Sequence, residues 1–191
     1  DGDYIKFLKC LREFNNESKY EERIYARKEL NSEASEFNSF LARFPKQVEI
    51  ICYCLNQNHY HLILKQLVEN GISLFMQKVS TGYTNYFNKK YDRSGSLFQG
   101  RFKSVYLKDD EKLIWSSGYV NGNSQIHKIA KAGSYQWCSY QDYLGTRKGT
   151  LCHKEIILKQ FKDVEDYQDF VEKVIIEYQE RKEMKKILLE I

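Results

Sequence analysis

Residues 46–67, KQVEIICYCLNQNHYHLILKQL, constrain the fold more than any other stretch. Lys46–Leu55 is rich in β-branched and aromatic side chains and reads as a buried strand. Asn56-Gln57-Asn58 is a turn signal, and His59–Leu67 resumes the β pattern, so the spacing predicts a hairpin. Side chains alternate faces along a strand. His59 and His61 therefore project to one side, while Tyr60, Leu62 and Leu64 project to the other and can pack on a core. Two imidazoles on one strand face make half of a divalent-metal site. The plainer reading is a pair of surface histidines, but the chain has only four histidines and two of them are here.

Around this hairpin the pattern is helical. Asp1–Phe14 repeats Ile5, Leu8, Leu11 and Phe14 near the helical period, with Asp1 or Asp3 available as a cap. Asn15–Pro45 is highly charged, its charges nearly balance, and it reads as one or two helices ending at the single proline. Gly71–Lys90 carries an apolar stripe from Ile72 through Phe75, Met76, Val79, Tyr83 and Tyr86 to Phe87, the mark of a core-facing helix. Tyr91–Ser96 is a turn, and Leu97–Lys108 reads as a further strand. Asp109-Asp110 can cap a helix over Glu111–Asn121; Tyr119 and Asn123 share a face if it runs one turn further. Tyr135–Leu144 is aromatic and is expected to wrap the core. Thr146–Thr150 reads as a linker, and Asp163–Ile191 as an amphipathic helix.

Composition sets broad limits. At 191 residues and 42% apolar, the chain is long and apolar enough for one well-buried domain with an appendage. No apolar run reaches the length of a membrane span. The chain opens on Asp1, with neither a methionine nor a signal segment, and its true start is expected to lie upstream. Five cysteines fit neither a disulfide framework nor a zinc finger, so reduced thiols in a cytoplasmic protein are the simplest account. The net charge of +4 is modest, but between Phe87 and Lys108 six cations face one carboxylate. Lys89, Lys90, Arg93, Arg101, Lys103 and Lys108 are interleaved there with Phe87, Tyr91, Phe98, Phe102 and Tyr106. Cations neutralise phosphate and rings stack on unpaired bases, so this stretch suits a nucleic-acid surface. A solvated strand with snorkelling lysines is the alternative.

Four motifs then fall in a familiar order. Asn58–Leu64 (NHYHLIL) resembles the HUH motif of single-tyrosine HUH transposases. Gly95–Ser104 (GSLFQGRFKS) resembles the Leu-Phe-Gln-x-Arg-Phe segment of the REP-associated branch. Tyr119–Asn123 (YVNGN) is similar to the family's Tyr-Ile-x-x-Asn helix, and Tyr135–Tyr140 (YQWCSY) to its Trp-x-Ser-Ser-Tyr segment. The chain also departs from the pattern. Asn56-Gln57 stands where Met-Pro is usual, Tyr60 where the middle triplet residue is aliphatic, and Asn123-Ser124 where Asn-Pro is usual. The family's first strand, with its Arg-Gly signature, is not found from Asp1 onward.

The resemblance implies an α+β fold: an antiparallel sheet with helices packed on it, ferredoxin-like, over residues 1–145, followed by a C-terminal helical extension over 146–191. It implies cleavage and joining of single-stranded or hairpin DNA, with Tyr119 as the nucleophile and a 5′-phosphotyrosine intermediate. It places a divalent cation on His59, His61 and Asn123. Magnesium or manganese suits this mixed nitrogen and oxygen set, with zinc as the alternative. Arg101, Lys103, Lys89, Lys90 and Arg93 are the expected DNA contacts, and a homodimer is a further expectation. Two other classes stay open: a domesticated hairpin-binding protein that does not cut, and a metal-dependent phosphodiesterase that uses water.

Overall fold

The computed structural model describes residues 1–16, 18, 22 and 34–189. In chain order these form α1 (Gly2–Glu13), α2 (Ala34–Leu41), β1 (Val48–Leu55), β2 (Tyr60–Gln66), α3 (Gly71–Lys90), α4 (Asp110–Ile126), a 3₁₀ turn (Ala132–Ser134), α5 (Tyr140–Tyr143), α6 (Glu155–Leu158) and α7 (Val164–Leu189). The class is α+β. Among the described residues, β1 and β2 form a two-stranded sheet whose turn is closed by the Asn56 N–H donating to the His59 carbonyl at 2.8 Å. Of the helices expected between Asn15 and Pro45, α2 is seen; the part from 19 to 33 lies outside the described residues apart from residue 22. The chain divides into two compact units, residues 1–49 with 65–104 and residues 50–64 with 105–191.

In the first unit α1 lies against α3. Phe7, Cys10 and Leu11 are buried on α1, and Phe75, Met76 and Val79 on α3. The Phe7 and Tyr83 rings meet edge to face, 4.9 Å between centroids. The expected stripe on α1 is therefore rotated: Ile5 is 47% exposed, because Phe7 and Cys10 take the inward face. Asp1 holds the N-cap position without a side-chain bond. Asp3 instead accepts from Lys90 at 2.6 Å, Tyr91 at 2.5 Å and Tyr86 at 3.1 Å, tying the start of α1 to the end of α3. Burial opposes ionisation of that carboxyl, but these bonds outweigh it and hold its pKa below the ordinary value. Asn15 acts as a one-residue strand partner: its Nδ2 donates to the Val48 carbonyl at 2.8 Å and its Oδ1 accepts from the Val48 N–H at 3.0 Å.

The strand expected over Leu97–Lys108 is not formed. Residues 99–106 are exposed and irregular, and among the described residues the sheet contains β1 and β2 alone. Alternation of side chains makes a strand only where a neighbouring backbone takes up its N–H and C=O groups. Here Phe98 packs on Tyr83, 6.4 Å between centroids, and the segment beyond stays solvated.

The second unit is built around α4 and α7. Asp109 caps α4, its Oδ1 accepting from the Lys112 N–H at 2.9 Å. The helix runs past Asn121 to Ile126, so Tyr119 and Asn123 do occupy one continuous helix. A Cβ placed on Gly118 would lie 2.9 Å from Phe170 and Val174, and one on Gly122 only 2.5 Å from Ile175. The two bare positions, one turn apart, let α7 approach the α4 backbone. Tyr167, Val171, Val174 and Ile175 of α7 are buried. Polar groups close the rest. Asn121 donates to the Tyr167 hydroxyl at 2.8 Å and accepts from the Ser139 hydroxyl at 2.7 Å.

The aromatic segment after α4 covers the open edge of β1. Leu55 N–H donates to the Trp137 carbonyl and Ser139 N–H to the Tyr53 carbonyl, each at 2.9 Å. Tyr143 donates to the Ile51 carbonyl at 2.8 Å and Tyr135 to the Leu55 carbonyl at 2.7 Å. Arg147 is tied down as well, donating to both oxygens of buried Asp142 at 2.6 and 2.9 Å. On β2 the residue buried deepest is Ile63, at 7% exposed, whereas Leu62 and Leu64 are half-buried. The histidine face of β2 thus joins the core cluster that includes Val120 and Ile126, opposite to the face expected to pack.

Replacing Gly122 by Leu forces a buried contact apart and is expected to cost about 1–3 kcal/mol in urea unfolding. Gly133→Ala, whose new methyl would meet Leu144 at 3.9 Å, serves as the neutral control.

Candidate active site

Every side chain from Ser117 to Ser124 is buried except Tyr119, which is half-buried. The Tyr119 ring lies 5.4 Å from that of His61 and 4.6 Å from that of Tyr178. The His59 and His61 rings are 5.1 Å apart and nearly perpendicular. His127, one turn beyond Asn123, brings a third imidazole to 5.9 Å from His59. These residues all belong to the second unit.

The polar contacts settle which atoms are available. His59 Nδ1 lies 2.7 Å from Asn58 Oδ1, and a carbonyl oxygen can only accept. The network therefore assigns the proton to Nδ1 and leaves a lone pair on Nε2. That lone pair accepts from Asn56 Nδ2 at 2.9 Å, and the same Nδ2 donates to Asn123 Oδ1 at 2.8 Å. His61 Nε2 and Asn123 Nδ2 are buried with no hydrogen-bond partner.

Burial, helped by the neighbouring His59 and His127, pushes the His61 pKa down to about 4, so its ring is neutral at pH 7. Burial likewise lowers His127, with Lys182 and His59 adding to the effect. The Tyr119 phenol is raised above its ordinary value, first by burial, while its contact with Asn123 pulls the other way.

These atoms fit a divalent cation. Two imidazoles and an amide oxygen offer nitrogen and oxygen ligand atoms, and the buried His61 ring nitrogen without a partner is a cost that a cation would remove. Among the described residues there is no cluster of three or more His, Cys, Asp or Glu side chains of the kind that holds a metal. The set is mixed, nitrogen with amide oxygen, and lacks the thiolates that favour zinc.

Lys89, Lys90, Arg93, Arg101 and Lys103 belong to the first unit, and Lys108 to the second. Arg101 and Lys103 are exposed on the irregular segment, beside Phe102, and Lys89 is exposed near the end of α3. Lys90 is engaged, paired with Asp3 at 2.6 Å and lying over the Tyr91 ring at 4.8 Å. Arg93 lies over the Phe87 ring at 5.7 Å. Tyr106 is 81% exposed and Val105 86%, both beyond that boundary in the second unit.

Sequence reasoning passed over two residues. His127 follows Asn123 by one helical turn, a spacing that places it near His59 once the helix runs to Ile126. Asn56 lies in the turn signal, and its amide, three residues before His59, returns to that histidine across the tight turn.

A histidine hairpin thus lies against a helix that carries a half-buried tyrosine and, one turn on, an asparagine. A family model described as "Transposase IS200 like" matches residues 16–123, more than half of the chain. The chain belongs to the IS200-like transposase family. The match takes in the hairpin and closes on Asn123. No curated protein and no solved structure matches the chain. No helix among the described residues is long and apolar enough to cross a membrane.

The raised Tyr119 pKa has a direct check. With tyrosine labelled at Cζ, the resonance lost in Tyr119→Phe is expected to titrate above pH 10 in the wild type.

Proposed function

We propose that this transposase cleaves and rejoins single-stranded or hairpin DNA through Tyr119, using magnesium or manganese held by His59, His61 and Asn123. The observation that supports the reading is that Tyr119 alone is half-buried in the buried run Ser117–Ser124, beside His61, whose Nε2 has no hydrogen-bond partner.

In the cutting step Tyr119 Oη attacks a backbone phosphorus. A bond forms between Oη and phosphorus, and the bond from phosphorus to the 3′ oxygen breaks. The phenol proton leaves to solvent and the 3′ oxygen takes one up, giving a 5′-phosphotyrosine and a free 3′-OH. Attack by another 3′-OH reverses the step and rejoins the strand. A phenol with a raised pKa is a poor nucleophile, so positioning carries much of the work. The buried helix holds the ring; His61 and Tyr178 flank it. The divalent ion, when bound, supplies positive charge that polarises the phosphate oxygens.

The Gly95–Ser104 run supports the REP-associated branch of the family. Arg101 and Lys103, exposed on either side of Phe102 in the chain, and exposed Lys89 are the DNA contacts of this reading, with Lys90 and Arg93 at its margin. All five cysteines are free, and a reducing cytoplasm suits them. A homodimer is part of the proposal.

Denaturing gels with a labelled single-stranded hairpin library and Mg²⁺ or Mn²⁺ test the mechanism. Wild-type protein should form a covalent adduct, and Tyr119→Phe should lose both adduct and cleavage while keeping most DNA affinity. Cutting that persists in Tyr119→Phe without an adduct would mean water is the nucleophile. Binding with no cutting in any variant would mean a domesticated binder.

Arg101→Ala with Lys103→Ala should weaken binding to all sequences alike and lower the slope of log affinity against log salt by about 1–2. An unchanged slope would move the DNA surface elsewhere.

A further inference from the structure

Asn56 takes part in none of the chemistry above, yet its amide bridges two of the proposed ligands, His59 and Asn123. It lies in the turn after β1, is 6% exposed, and stands where the resembling family carries methionine. Its Nδ2 donates to His59 Nε2 at 2.9 Å and to Asn123 Oδ1 at 2.8 Å. These are lone pairs that a cation would take. An N–H₂ group and a cation repel each other, so the amide in this setting and a bound ion are mutually exclusive.

The two distances carry more than exclusion. Ligand bonds of roughly 2.1 Å at right angles leave neighbouring ligand atoms about 3 Å apart. The terminal atom of Asn56 already stands at that separation from both His59 and Asn123. Rotation of the amide about its last side-chain torsion exchanges Nδ2 for Oδ1 with no movement of the backbone, and that torsion is broad and nearly two-fold. Little opposes the rotation from the other side. Oδ1 now meets only the Cys54 thiol at 3.8 Å, and a thiol is a weak donor.

We propose that Asn56 is a ligand of the divalent-cation site alongside His59, His61 and Asn123. Its amide alternates between a closed setting, with N–H₂ bonded to two of the ligands, and an open setting with Oδ1 on the ion. The closed setting keeps the His59 and Asn123 lone pairs satisfied and those two ligands in place until an ion arrives. This rests on the cation assigned under the proposed function, and the experiment separates the two.

Mn²⁺ binding to the full chain is measured by electron paramagnetic resonance of the free aquo ion, without DNA. Wild type is compared with His59→Ala, Asn56→Asp and Asn56→Leu, each checked for folding by circular dichroism. Aspartate keeps the shape, cannot donate and supplies a charged oxygen, so the Kd should fall at least tenfold. Leucine keeps the approximate shape and supplies neither, so the Kd should rise at least tenfold. Unchanged or tighter binding by Asn56→Leu means the amide only obstructs the site and overturns the proposal. If that variant does not fold, Asn56→Asp decides, and a Kd equal to or above wild type overturns it. A wild-type site lost in His59→Ala but indifferent to both Asn56 changes removes the Asn56 ligand and leaves the cation standing. Wild type that binds no Mn²⁺, or a site that survives His59→Ala, removes both.

Discussion

The close approach of α4 and α7 is the constraint on which the second unit depends. Glycine at 118 and 122 is unfavourable for an isolated helix, each costing about 1 kcal/mol against alanine. Their use makes sense only with a partner helix pressed against the backbone, and Phe170, Val174 and Ile175 supply it. Once that face is taken, Asn121 and Ser117 turn toward Tyr167, and Asn121 also meets Ser139. Tyr119 and Asn123 are left to face the histidines. The rotation of the helix, and so the aim of the tyrosine, follows from two missing side chains.

Much of this architecture is legible from the residues. The hairpin, the helix over Gly71–Lys90, the Asp109 cap and the helix after residue 163 all follow from patterns of period two or near 3.6. The pairing of Tyr119 with Asn123 follows from the same period, given a helix that continues past Asn121. What the pattern conceals is which faces are inside. α4 is buried from Ser117 to Ser124 apart from Tyr119, so Ser117, Asn121 and Asn123 look like a solvated face in sequence while they are hydrogen-bonded in the core. On β2 the aliphatic alternation pointed away from the histidines, yet Ile63 on the histidine side is the deepest. On α1, Cys10 and Phe7 displaced Ile5 because the partner helix selects the face.

The failed strand at 97–108 and the overlooked Asn56 have a common cause. Both depend on partners distant in sequence, one on a neighbouring backbone and the other on a residue 67 positions away. Local periodicity carries no information about either. Residue type alone gave a hint at Asn56, where a polar amide replaces an apolar side chain in the resembling motif.

The enclosure of α4 also limits how the site can move. A rigid swing of that helix would have to open the Gly122–Ile175 contact and break the bonds joining Asn121 to Ser139 and Tyr167 at once, a change on the scale of unfolding the unit. Conformational freedom at Tyr119 is thereby confined to the torsions of the phenol side chain itself. The backbone under Tyr119 behaves as a fixed anvil, and under the proposed reaction it is the nucleic acid that would have to bend to meet it.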